Sequence, residues 1–272
     1  MNNSLLKNLI EKALAEVGLN RGDVVLVHSD ASAVIKLLGD EDWNRALELM
    51  RLSFAEILGD EGTLVVPTFN WNFCKGHPYD EAKTPSQLGL FSNYILNRPE
   101  AIRSIHPFFS FSGIGPHARS LFSGISKSSF GPESVFDRLM QRNGKLIFFN
   151  TSFLYCTFVH YVEQMRGVSY RYIKHFTGKL TVNKVTYEDT FEFYVRDEKQ
   201  EVISYPTRLG ERMRSKGMLR SVSFGEGRIL STTCHEVFHE AVTALDEDPY
   251  FLLKQPPVPV GNLKSIEVDD ER

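Results

Sequence analysis

The chain has 272 residues, of which 42% are hydrophobic and 24% charged, a composition that predicts a globular protein with a substantial core. Its formal net charge of -3 argues against a general nucleic-acid binder, because such proteins rely on a basic surface. No apolar run approaches the length of a membrane span, and the charged N-terminal segment lacks the apolar block of a signal peptide. We therefore expect a cytoplasmic protein with no nucleic-acid or membrane partner, whose three widely spaced cysteines stay reduced.

The first part of the chain alternates between helical and strand patterns. Apolar residues recur at helical spacing from 5 to 17, and the β-branched run 24–27 is typical of a buried parallel strand. A second amphipathic helix is predicted over 43–58, and another apolar strand over 63–67. Because two strands separated by helical segments form a βαβ unit, the predicted fold class is α/β.

The rest of the chain is more varied in composition and pattern. Residues 68–85 are rich in aromatic residues, Asn, Gly and Pro, which predicts a long loop of the kind that lines a substrate cleft. The remaining expectations are a helix over 88–96, a strand over 111–114, strands within 182–195 that turn at Asn183-Lys184, a solvated charged segment over 208–220, a strand over 228–232, a helix over 234–245 and a tail over 255–272.

The stretch 145–163 combines a buried strand with polar side chains. Residues 146–149 are bulky and apolar, and they follow a turn signal, so we predict a strand there. If a helix follows, Thr157, His160 and Glu163 lie three residues apart on one face, an arrangement that can hold and tune a general base. A histidine satisfied inside the core, with Thr157 as a helix cap, explains the same spacing and is the commoner case.

The turn at 28–32 is a second candidate site. It follows a predicted strand and precedes a predicted helix, so free backbone N–H groups there could bind an anion such as a pyrophosphate. An ordinary helix cap fits equally well, because the glycine-rich signature of a nucleotide-binding loop is missing.

A zinc motif is the third candidate. His235, Glu236 and His239 form H-E-x-x-H, in which two imidazoles on one helical face hold zinc and the carboxylate acts as a base. Little chain remains for a third ligand, of which Glu267 is the candidate, and the apolar face of the same helix is explained by packing. A zinc hydrolase is therefore the remote alternative.

Five sequence blocks, in order, resemble the aminoglycoside 3-N-acetyltransferase family over roughly residues 9–253. The blocks are 22–29, 62–69, Arg103-Ser104 with His106-Pro107 and Ser110, Phe130-Gly131 with Ser134, and 156–163. The resemblance implies an α/β fold with a central, mostly parallel sheet flanked by helices and an additional antiparallel β segment, distinct from the GNAT acetyltransferases. It also implies a single acetyltransferase domain over 1–272, or two α/β lobes around a cleft, with acetyl-CoA as cosubstrate and no metal.

The resemblance also implies roles for individual residues. His160 would be the base, and Glu163 and Thr157 would orient it or the acetyl group. Contacts to coenzyme A are expected at His28, Ser29, Ala31, Ser32, His106, Ser110 and Phe111. Contacts to the acceptor are expected at Asn70, Phe73, Tyr170 and Arg171. Cys156, also at helical spacing from His160, is a possible nucleophile in a ping-pong scheme, with direct transfer preferred.

The resemblance implies that the acceptor is a primary amine on a sugar or an aminocyclitol. Asp30 departs from the family pattern and would repel a phosphate, and Phe149-Asn150 replaces a glycine that many relatives carry. The segments 73–76 and 156–164 look more like members that acetylate amino sugars for surface polysaccharides. We therefore expect a nucleotide-linked amino sugar, with an aminoglycoside as the alternative and a homodimer as a possible assembly. A protein that only binds a sugar nucleotide or a partner protein is the non-enzymatic alternative.

Overall fold

The computed structural model describes residues 2–39 and 42–259. Its helices are α1 Asn3–Glu16, α2 Ser32–Leu38, α3 Trp43–Leu58, α4 Leu90–Leu96, α5 Ala118–Phe122, α6 Val135–Gln141, α7 Val159–Arg166, α8 Thr207–Ser215 and α9 Cys234–Glu247. Its strands are β1 Val24–Ser29, β2 Thr63–Pro67, β3 Tyr79–Asp80, β4 Ile102–Arg103, β5 Phe111–Ile114, β6 Lys145–Phe149, β7 Arg171–Val182, β8 Val185–Arg196, β9 Gln200–Glu201, β10 Arg220–Phe224, β11 Gly227–Thr233 and β12 Val258–Pro259.

A seven-stranded sheet in the order β10-β11-β6-β1-β2-β5-β4 forms the centre of the described chain. Strand β1 pairs in parallel with both β2 and β6, so that Leu26 lies between Val65 and Leu146. Strands β5 and β11 run against their neighbours, and the other five share one direction. The predicted α/β fold with a mostly parallel central sheet is confirmed.

Helices cover both faces of this sheet. Because side chains alternate along a strand, Val25 and Val27 point to a core built with α1, α3 and α4. Val24 and Leu26 point to the opposite core, which also contains residues of α6, α7, α8 and α9. The central strands read as continuous apolar runs because both of their faces are buried.

A separate three-stranded sheet, in the order β3-β7-β8, is dominated by the β7–β8 hairpin. Its turn lies at Asn183 and Lys184, with φ of 49° and 66°, the left-handed conformation that two-residue hairpin turns require. The predicted turn is confirmed. The strands are longer than predicted and begin at Arg171. The sequence did not indicate their full length because much of the hairpin is exposed and its hydrophobic alternation is weak.

Two other expectations need correction. Part of the segment 208–220, predicted to be solvated, forms α8, which buries Leu209, Gly210 and Met213. A Cβ atom at Gly210 would lie 2.9 Å from the ring of Phe153, so this helix packs at close range. In the predicted tail, β12 pairs with β9, and residues 260–272, including Glu267, lie outside the described residues. No described helix is both long enough and apolar enough to cross a bilayer.

The loop 68–85 is held to the sheet by Arg103. Its guanidinium donates to the carbonyl oxygens of Glu81 and Thr84 at 2.9 and 2.6 Å, and to Ser110 Oγ at 3.1 Å. The same group lies 5.1 Å from the centre of the Tyr79 ring. One side chain therefore satisfies several backbone groups of the loop and orders it.

Replacing Arg103 by Met should lower the free energy of unfolding by about 2–3 kcal/mol, because carbonyl acceptors lose a charged donor. Urea unfolding followed by tryptophan fluorescence measures this change. The exposed Arg119, replaced by Gln, is the control and should change stability by less than about 0.5 kcal/mol. Equal effects of the two substitutions would show that Arg103 does not hold the loop.

Candidate active site

The connection from β6 to α7 carries the candidate site. After the strand, a short 3-10 helix at Phe153–Tyr155 is capped by Ser152, whose Oγ accepts the N–H of Leu154 at 3.0 Å. Helix α7 begins only at Val159, so Thr157 precedes the helix and does not cap it. The predicted stripe of three residues on one helix is therefore wrong for Thr157. His160 and Glu163 do lie on successive turns of α7.

Glu163 is 0% exposed and is surrounded by three polar partners. One carboxylate oxygen lies 2.6 Å from His160 Nδ1 and 2.8 Å from Arg171 Nε, and the other accepts the Tyr170 hydroxyl at 3.0 Å. Burial acts to raise the pKa of Glu163, but Arg171 and His160 outweigh it and hold the pKa below its ordinary value. The group is a buried carboxylate.

His160 has one occupied and one available ring nitrogen. Its Nδ1 donates to the Glu163 carboxylate, so it cannot also accept from Arg171 Nη2, which lies 3.3 Å away. The His160 side chain is 23% exposed, and its Nε2 has no partner among the described residues. Burial and the charge of Arg171 lower the pKa of His160, against the effect of Glu163. At neutral pH the ring is therefore a neutral base with a lone pair on Nε2.

The His160 side chain lines a cleft of about 520 Å³. Residues from the sheet, the loop 68–85, α7 and the β7–β8 hairpin form its walls. They are His28, Pro67, Phe69, Trp71, Leu88, Phe109, Phe130, Leu154, Tyr155, Cys156, Thr157, Val159, His160, Arg171, Phe193, Arg196, Ser204 and Pro206. The imidazole is thus within reach of a ligand rather than sealed in the core.

A second cleft of about 460 Å³ adjoins the first. The two share His28, Pro67, Leu88 and Tyr155 as walls, and the second extends past Trp43. The two clefts therefore meet at these four shared residues.

The cofactor residues predicted near β1 are divided between two places. His28, Ser29 and Ala31 line the second cleft, whereas Ser32 lines a separate pocket. The Ser32 N–H donates to Asp30 Oδ1 at 2.9 Å, so this donor is not free for an anion. The predicted anion site at the start of α2 is not supported.

The other three predicted cofactor residues are buried away from both clefts. His106 Nδ1 accepts the N–H of Phe109 at 3.0 Å, which ties it into an aromatic core. Ser110 bonds to Arg103 and to the Thr68 carbonyl oxygen, and the ring of Phe111 packs within the core. These three side chains are held by packing and hydrogen bonds inside the protein, and none of them lines either cleft.

The four residues predicted to contact the acceptor also lie in different places. The Asn70 amide donates to the Pro85 carbonyl oxygen at 2.8 Å and braces the loop, while Phe73 is buried against other aromatic rings. Neither lines the cleft. Tyr170 is buried and holds Glu163, so among the four only Arg171 lines the cleft as predicted.

Cys156, the alternative nucleophile, lies in the cleft wall but is only 1% exposed. Burial raises the pKa of its thiol to about 12. Little thiolate is therefore present at neutral pH, and the thiolate is the form that attacks a thioester. This geometry disfavours an acetyl-cysteine intermediate.

Sequence reasoning missed Arg196, at the end of β8. Its Nη1 donates to the Val202 carbonyl oxygen at 3.0 Å, and its side chain lines the cleft. In the hairpin register Arg196 is paired with Arg171. Since the turn at Asn183-Lys184 was predicted, extending the pairing back along the sequence would have placed these two arginines side by side.

The zinc motif has a structural explanation. Glu236 forms a capping box with Thr233 at the start of α9, and His235 Nε2 contacts the Met140 carbonyl oxygen at 3.0 Å. Among residues 2–39 and 42–259, no three His, Cys, Asp or Glu side chains are grouped as metal ligands. The candidate third ligand, Glu267, lies outside the described residues.

Comparison with known proteins gives consistent matches. An aminoglycoside N(3)-acetyltransferase IV from Salmonella sp is 32% identical over 175 residues, covering 61% of this chain and 63% of that relative. The matched stretch is thus less than two thirds of the relative's length. Among solved structures, AAC-IIIb in a binary complex with CoASH has a TM-score of 0.76 at 17% identity, covering 89% of this chain and 96% of that one.

A second solved structure, sisomicin-bound AAC-VIa, has a TM-score of 0.73 at 17% identity and covers 89% of this chain and 97% of that one. At these identities the two likenesses establish the fold. The family model described as aminoglycoside 3-N-acetyltransferase matches residues 26–246, most of the chain. The resemblance inferred from the five sequence blocks is confirmed, and the chain belongs to the aminoglycoside 3-N-acetyltransferase family.

Proposed function

We propose that this protein is an acetyl-CoA-dependent N-acetyltransferase that acylates a primary amine of a sugar-type acceptor, with His160 as general base. The observation that carries the proposal is the neutral imidazole at the cleft wall, held through Nδ1 by a buried carboxylate. Family membership and a solved neighbour in complex with CoASH support acetyl-CoA as donor. We place the pantetheine arm in the second cleft, which shares His28 with the first.

In this mechanism the amine nitrogen attacks the thioester carbonyl carbon as His160 Nε2 takes a proton from the amine. The C–N bond forms, the tetrahedral intermediate collapses, the C–S bond breaks, and the leaving coenzyme A thiolate takes the proton from the His160 imidazolium, which restores the neutral base. Glu163 fixes the ring tautomer and stabilises the imidazolium. Tyr170 and Arg171 keep Glu163 ionised and in place. Thr157, in the cleft wall, is the donor for the carbonyl oxygen.

Two classes of acceptor deserve testing. Relatives named aminoglycoside N(3)-acetyltransferases, and a neighbour bound to sisomicin, favour an aminoglycoside amine. The charge of the cleft lining supports a nucleotide-linked amino sugar as the second candidate. Within the described residues, the cleft beside His160 is lined by Arg171 and Arg196 and by no carboxylate. Such a lining attracts a phosphate and repels additional ammonium groups.

Replacing His160 by Ala should lower kcat/KM by about 10²- to 10⁴-fold, or about 3–5 kcal/mol in barrier, because the amine loses its base. The assay follows thiol release from acetyl-CoA with panels of aminoglycosides and nucleotide-linked amino sugars, and mass spectrometry identifies the acetylated amine. Cys156→Ala is the matched control from the same segment and should retain turnover. Normal activity of the His160 variant, or no thiol release by the native protein with any amine, would overturn the proposal.

The pKa of His160, followed by NMR of the ring, should lie below about 6.5, the ordinary value of histidine. Glu163→Gln should lower it further because an opposite charge is removed, and Arg196→Gln should raise it because a like charge is removed. Since the base must be neutral, kcat/KM should fall as pH drops through this pKa. Shifts in the reverse directions would contradict the assigned electrostatics.

The Arg196→Gln variant also distinguishes the acceptor classes. If a phosphate contacts Arg196, kcat/KM for nucleotide-linked amino sugars should fall about tenfold or more, while aminoglycosides should be affected little or should improve. The control is Lys179→Gln, an exposed substitution on the same hairpin at a distance from the cleft. A selective loss of aminoglycoside activity would argue against the nucleotide-linked acceptor.

A further inference from the structure

A second histidine lies at the junction of the two clefts. His28, the fifth residue of β1, is 7% exposed, and its ring stacks on Phe148 with 5.3 Å between ring centres. Its Nε2 lies 3.0 Å from the hydroxyl oxygen of Thr157. This contact joins the end of β1 to the connection before α7, at the place where the clefts meet.

The hydrogen bond between His28 and Thr157 can run in two directions. If the hydroxyl donates to Nε2, the ring proton sits on Nδ1, and no hydroxyl proton remains for the cleft. If Nε2–H donates to the hydroxyl, Nδ1 carries a lone pair, and the Thr157 proton is free to point elsewhere. The structure separates these cases through the surroundings of Nδ1.

Nδ1 of His28 is shielded from solvent and has no hydrogen-bond partner among the described residues. A buried N–H without an acceptor is rarer in proteins than a buried acceptor without a donor. The tautomer with its proton on Nε2 is therefore favoured. In this tautomer the Thr157 hydroxyl accepts from His28 and retains its own proton for a third group.

We propose that His28 is a positioning residue that holds the Thr157 hydroxyl with its proton directed into the cleft, where it donates to the thioester carbonyl oxygen of the acyl donor. This inference rests on the proposed function, which supplies the thioester. As the amine attacks, negative charge develops on that oxygen, and a prearranged donor stabilises it. Neither His28 nor Thr157 gives up its proton in the step.

The two histidines of the cleft thereby have different roles. Burial lowers the pKa of His28 to about 4, so its ring stays neutral over the working pH range. With Nε2 committed as a donor to Thr157, it has no lone pair facing the amine and cannot act as the base. His160 has the opposite arrangement, with the donor nitrogen turned to Glu163 and the lone pair left for substrate.

A double-mutant cycle tests the link to Thr157. His28→Phe keeps an aromatic ring against Phe148 and should lower kcat about tenfold or more, with KM for acetyl-CoA changed less than threefold. Thr157→Val should lower kcat by about 10²-fold. In the Thr157→Val background, His28→Phe should have almost no further effect, because the hydroxyl that it positions is absent.

Rescue by a conservative variant separates positioning from packing. His28→Gln restores an N–H donor near the position of Nε2 and should recover much of the kcat lost in His28→Phe. Additive losses in the cycle, or a His28→Phe variant with full kcat, would overturn the inference while leaving acetyl transfer intact. Absence of acetyl transfer by the native protein would instead reject the proposed function.

A second measurement does not depend on activity. The ¹⁵N chemical shifts and proton couplings of the His28 ring should show the neutral tautomer with its proton on Nε2 from pH 5.5 to 9, and Thr157→Val should perturb the Nε2 signal. A proton on Nδ1 would contradict the proposed direction of the hydrogen bond even if the variants lose activity.

Discussion

The site depends on one buried carboxylate. A charge removed from water is costly unless it is paired. The Glu163 carboxylate is paired with an imidazole, a phenol and a guanidinium, which offset this cost. Tyr170 and Arg171 stand at the start of the β7–β8 hairpin, whereas Glu163 and His160 belong to α7. The same contacts therefore attach the hairpin to the central fold and fix the tautomer of His160. Stability of this region and, in the proposed mechanism, the action of His160 depend on the same cluster.

Parallel pairing explains why residues distant in sequence meet here. Strands β1 and β6 run side by side in one direction, so the segments that follow them leave from the same edge of the sheet. His28, near the end of β1, consequently reaches Thr157, in the connection that follows β6. The hairpin then closes the cleft from the other side with Arg171 and Arg196. Three independent elements thus contribute to a site that none of them contains alone.

The sequence allowed the sheet to be predicted because β1, β2 and β6 are apolar on both faces, and the hairpin turn because Asn183-Lys184 favours a left-handed backbone. The sequence also allowed the contact between His160 and Glu163 to be predicted, since this contact depends only on helical spacing. It did not reveal that α7 begins after Thr157, which tertiary packing decides. Nor could motif spacing distinguish His106 and Ser110, which stabilise a loop, from residues that touch a ligand. Similar sequence blocks arise from both causes.

Charge in the cleft differs from charge on the whole chain. The protein carries a formal net charge of -3, yet the described lining beside His160 holds two guanidinium groups and no carboxylate. Glu163 compensates Arg171 directly, so Arg196 provides the surplus positive charge. Together with burial and Arg171, that charge disfavours the imidazolium and keeps His160 ready to accept a proton. The same charge attracts anionic ligands. In the proposed function, the pKa of His160 and the choice of acceptor are therefore linked through Arg196, at the end of β8.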